Sequence, residues 1–155
     1  MRRRDLPSAI VLFAVGLFST GSSATEVFIC SADLATGFAY DPSTKQWRIA
    51  AFKATEKLVL ARASPAERKD GFEWVVKLVG SERREFVCDS DFTAHGHLSC
   101  RGFGEFKFNR NTLRFFSSYS VGFVVDEPTP RSAFVAEGAN TPMMQIGQCA
   151  IPKAG

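Results

Sequence analysis

The chain is poor in the side chains and patterns that most enzymes need. It has two histidines in 155 residues, His95 and His97. It contains no G-x-S-x-G nucleophile elbow, no H-E-x-x-H metal helix, no G-x-x-x-x-G-K-S/T phosphate loop and no G-x-G-x-x-G dinucleotide turn. Arg101-Gly102-Phe103-Gly104 holds a bare G-x-G, but it falls between strand patterns and reads as a turn or bulge. The sequence therefore gives no support to an enzyme and calls for no cofactor. Catalytic residues can be scattered along a chain, so the reading leans against catalysis on the missing motifs alone.

Long apolar runs and surplus charge are also missing. The longest apolar stretch, from about Ala9 to Phe18, is half the roughly 20 residues a membrane-spanning helix needs. It follows Arg2-Arg3-Arg4 and precedes Ser22-Ser23-Ala24, the layout of a secretory signal peptide with small residues at the cleavage site. The expected organisation is a cleaved signal over residues 1–24 and one secreted β domain over 25–155, with no stable membrane anchor. Cys30 follows Phe28-Ile29 and does not suit a lipoprotein signal, and RRRDLP is a poor twin-arginine match. Removing the signal takes Arg2, Arg3, Arg4 and Asp5 with it and lowers the formal charge from +3 to +1. The basicity of the full chain thus belongs largely to the expected signal segment, and nucleic acid is not an expected partner.

What remains is 131 residues, enough for one domain with a real core. An exported chain meets an oxidising compartment, expected to be the periplasm, so its four cysteines are read as two disulfides. Of the three pairings, Cys88 with Cys100 and Cys30 with Cys149 is preferred. The first pair is close in sequence, and the second ties the start of the domain to its end.

Period-two alternation dominates the rest. In GFEWVVKLVG, Phe72, Trp74, Val76 and Leu78 share one face, and in EFKFN Phe106 and Phe108 do. TGFAYD, KQWRIAAFKA, EKLVLAR, EFVC, HLSCR, NTLRFF, SYSVGFVVD, SAFVAE and MMQIGQC are further strand candidates. Turn residues separate them at Asp41-Pro42-Ser43-Thr44, Lys69-Asp70-Gly71, Asn109-Arg110-Asn111 and Asp126-Glu127-Pro128-Thr129-Pro130. The expected fold is all-β, a single antiparallel sandwich or small barrel tied by two disulfides. Ser64-Pro65-Ala66-Glu67 is either loop or one helical turn, with Ser64 capping, Pro65 in the first position and Glu67 closing a capping box.

Three stretches, GFAYDPSTKQWRIAAFKATEKLVL, FKFNRNTLRF and TPMMQIGQC, span most of the mature chain. In that order they resemble a family of small, uncharacterised secreted bacterial proteins. The resemblance implies export and a bacterial source, and it transfers no activity or site residue.

Three functions stay open. The first is a non-catalytic binding module of the cell envelope, recognising a protein or a glycan. The second is a barrel that carries an apolar small molecule, with the 13 mature phenylalanines lining a cavity instead of filling a core. The third is a weak zinc or copper site in CDSDFTAHGHLSC. In a strand His95 and His97 would share a face there, with Asp89 or Asp91 beside them. Cysteines in a disulfide cannot also act as thiolate ligands, so the bland version of this stretch is an exposed loop relaxed by Gly96. Phe115-Phe116 raises a separate question, because neighbours on a strand face opposite sides. Phe116 is therefore either covered or available to a partner.

Overall fold

The computed structural model describes residues 26–41, 43–120 and 141–152. The expected signal peptide, the breaker stretch at 126–130, the strand candidate SAFVAE and all of SYSVGFVVD past Ser120 lie outside those residues. The described chain is nine strands and one short helix: β1 (Val27–Asp41), β2 (Gln46–Phe52), β3 (Lys57–Arg62), α1 (Pro65–Lys69), β4 (Trp74–Leu78), β5 (Arg84–Cys88), β6 (His97–Gly102), β7 (Gly104–Asn109), β8 (Arg114–Tyr119) and β9 (Met143–Ala150).

Every pairing is antiparallel. From β3 to β9 each strand bonds the next one in sequence, and β9 returns to β1, closing an eight-stranded barrel. The alternative left open by the sequence is thus resolved as a barrel. β1 is long enough to do three jobs. Its first residues pair with β3, residues 29–37 pair with β9 on the other edge, and residues 35–41 run on as a hairpin with β2.

Alternation explains the filling. Phe28, Leu58, Leu60, Trp74, Val76, Phe86, Leu98, Phe106, Phe108 and Phe115 point inward and are buried with all four cysteines. Their rings pack on one another, Phe28 against Phe108 at 4.8 Å and Phe106 stacked on Phe115 at 5.6 Å. Cys30 bonds Cys149 directly across the β1–β9 pair, and Cys88 bonds Cys100 between β5 and β6. Both preferred disulfides are present.

The Ser64 segment is a helical turn. The Glu67 N–H donates to Ser64 Oγ at 3.3 Å, Glu67 Oε2 accepts from the Ser64 N–H at 2.8 Å, and Pro65 opens the helix. Arg101-Gly102-Phe103-Gly104 is the tight connection from β6 to β7.

Candidate functional site

The loop between β5 and β6 holds the residues of the expected metal site, and the structure spreads them among structural partners. Arg101 donates two hydrogen bonds to Asp89, at 2.7 and 3.0 Å, and holds that carboxyl below its ordinary range. Burial pushes Asp91 up, yet hydrogen bonds from Trp74 Nε1 (2.9 Å), the Phe92 N–H (2.7 Å) and Arg62 Nη2 (2.8 Å) outweigh it and leave the carboxyl lowered. His95 sits in a turn and not in a strand. Gly96, at φ +77°, follows it, and His97 opens β6 with its ring 3.4 Å from Asn109 Nδ2. Among the described residues no three His, Cys, Asp or Glu side chains come together to hold a metal. The loop instead carries Phe92, whose ring closes this end of the barrel against Phe28, Trp74 and Phe108.

A different surface stands out on the outside of the wall. The register shifts between Ala32 and Leu34, so Asp33 is an extra residue, and past it the even-numbered side chains of β1 point away from the core. Leu34 lies opposite Ile146, and Ile146 lies opposite Phe116, a row across three strands. The next row is Thr36 with Met144 and Ala51. Beyond the rim Phe38 faces Ile49 and Tyr40 faces Trp47, whose rings meet at 5.4 Å. Ile49 is 83% exposed and Leu34 66%, and Phe38, Tyr40, Trp47, Met144 and Ile146 are exposed as well. Elsewhere the outer wall carries Lys57, Lys77, Arg84, Arg101 and Lys107, and among the described residues the other exposed large hydrophobes, Val79, Phe103 and Ile151, lie outside these rows.

Phe116 itself is half-buried at the edge of this surface, while Phe115 is buried inside. The other members escaped the sequence reading. GFAYD alternates large with small residues, and in QWRIAAF Trp47 and Ile49 fall two apart, which says that each strand has one bulky apolar face there. Deciding that the bulky face looks outward requires the hairpin register and the β1 bulge.

β2 ends the strand order, so among the described residues its far edge pairs with no strand. Lys45, Arg48 and Lys53 make that edge basic. No protein-family profile, curated protein or solved structure matches this chain. The function must be argued from the surface itself.

Proposed function

We propose that the protein is a non-catalytic binding module of the bacterial cell envelope that works in the periplasm and docks a protein partner on the outer face of β8, β9, β1 and β2. The carrying observation is the continuous exposed apolar surface from Leu34 to Ile49, because isolated surface hydrophobes are ordinary and a contiguous patch over four strands is not. Two disulfides suit an oxidising compartment, and among the described residues no helix is long and apolar enough to cross a membrane.

The chemistry of the patch favours a protein over a glycan. Leu34, Ile49, Met144 and Ile146 make most of the patch aliphatic, a surface suited to the apolar side chains of another protein. The adjoining β2 edge offers backbone hydrogen bonds, and its Lys45, Arg48 and Lys53 disfavour a second copy of the same edge. An extended partner segment that alternates apolar and acidic residues would satisfy both features by adding a strand. The carrier reading has weaker support, since Trp74 and the phenylalanines occupy the barrel interior. The metal reading has weaker support too, with Asp89 and Asp91 already engaged.

The test is a crosslinking pulldown from native envelope extract under oxidising conditions, comparing wild type with Ile49→Lys/Ile146→Lys. Both positions are exposed, so the variant should fold normally. A partner held by wild type should be lost, or bind roughly tenfold or more weakly, as when a hot-spot side chain is removed. Undiminished capture by the variant would place recognition elsewhere, and concentration-dependent self-association of wild type alone would make the occupant a second copy.

A further inference from the structure

The barrel interior changes character along its axis. One end is closed by Phe92, and the middle is aromatic. At the other end the inward positions turn polar, with Ser117 and Gln145 buried next to Phe86 and Tyr119. Two carboxylates join them. Glu85 arrives through a local irregularity: Val76 pairs with Phe86 and Lys77 with Arg84, which leaves Glu85 as an extra residue of β5. Its side chain is 4% exposed, and its Oε1 accepts no hydrogen bond. Arg83 Nε stands 3.5 Å from that oxygen, beyond ordinary hydrogen-bond length and on a side chain that is itself exposed. Glu56 lies within electrostatic reach of Glu85 and accepts a hydrogen bond from Gln145 Nε2 at 3.1 Å.

A carboxylate taken out of water and ion-paired to one exposed arginine, with an oxygen that accepts no hydrogen bond, is a costly thing to keep. Here it borders a cavity lined by Phe86, Phe103, Tyr119, Met143 and Gln145. The volume open to a water-sized group is about 20 Å³, room for one such group. Negative charge at the floor and aromatic rings in the walls are the two features that attract an organic ammonium. Calcium fits less well, because it takes six to eight oxygen ligands and this lining is largely aromatic and apolar.

We infer that this cavity binds the ammonium head of a small organic cation, with the Glu85 carboxylate as counter-ion and the rings of Phe103 and Tyr119 beside it. The apolar remainder of the ligand would lie along Phe103 and Met143 toward solvent. The site is separate from the outer apolar face and does not depend on it.

The test is calorimetric titration of the oxidised protein at neutral pH with n-hexylammonium chloride, with sodium hexanoate and calcium chloride run in parallel. Hexylammonium should bind saturably and hexanoate should not. Glu85→Gln should weaken binding roughly tenfold or more, whereas Glu105→Gln on the outer wall and Ile49→Lys should leave it unchanged. Glu85→Gln removes a buried charge, so it should melt no lower than wild type, and Phe103→Ala, at an exposed position, provides a second variant that should weaken binding. Absence of saturable binding, equal affinity in Glu85→Gln and Glu105→Gln, or saturation by calcium in place of hexylammonium would overturn the assignment.

Discussion

Trp74 is fully buried, and its indole N–H donates to Asp91 Oδ1 at 2.9 Å. Arg62 covers the same ring, its guanidinium 4.4 Å from the centroid, and also pairs with Asp91. One carboxylate therefore satisfies a buried donor and anchors the loop that carries Phe92. Asp91→Ala should cost about 1–3 kcal/mol, the penalty for leaving a buried donor unpaired, and Asp91→Asn should recover part of it. Urea unfolding of the three proteins measures this. A loss shared equally by Ala and Asn would mean that the charge, and not the accepting oxygen, matters.

Glu56 gives the opposite kind of residue-scale behaviour. Burial raises its pKa above the ordinary 4.5 and the charge of Glu85 raises it further, against the lowering effect of the Gln145 hydrogen bond. The folded state thus holds a proton more tightly than the unfolded chain does. That contribution is complete below pH 4.5 and disappears as pH climbs through the raised folded value. Wild type should accordingly lose stability across this window relative to Glu56→Gln, which carries no proton to lose. Unfolding midpoints measured over the same pH series should show a flatter curve for the variant, and parallel curves would refute the claim.

At the scale of elements, the strands from β3 to β8 and β9 itself lie where alternation and turn residues put them, because each needs to present one apolar face to the core. The first half of β1 was not legible. Its alternation is interrupted at Asp33, and a pattern read two residues at a time has no way to cross a bulge. The same physics hid the two most interesting side-chain groups. Phe38 and Ile49 look outward because of one bulge, and Glu85 looks inward because of another. Phe116 was legible as a question, since Phe115 had to take the other face. His95 and His97 share a face only if their stretch is a strand, and Gly96 at positive φ puts His95 in a turn, the exposed-loop alternative that the sequence also offers. Gly147 tests the β1 bulge. A Cβ there would run into the Ser31 carbonyl oxygen and lie 2.7 Å from the Phe115 ring. Gly147→Ala should destabilise by about 1–3 kcal/mol through overpacking. Tolerance of alanine at that position would mean that β1 and β9 are not so closely apposed.

For the whole molecule the decisive contact is the closure of β9 onto β1, because it turns a meander with two open edges into a barrel whose seam is internal. Period-two patterns say nothing about closure, which is why sandwich and barrel stayed open on sequence alone; the Cys30–Cys149 pairing carried the only hint that the chain ends meet. The two disulfides constrain very different loops, of 119 and 12 residues' separation. In the loop-entropy picture the longer crosslink contributes about 5 kcal/mol and the shorter about 3, so they differ by about 2 kcal/mol. Replacing either pair by alanine removes two sulfur atoms from matched buried positions, which leaves the loop length as the main difference. Cys30→Ala/Cys149→Ala should therefore unfold at lower urea than Cys88→Ala/Cys100→Ala, with its early hydrogen exchange concentrated in β1 and β9. The reverse order would show that the seam is held by the eight register pairs between those strands, with the crosslink merely following a closure that packing has already made.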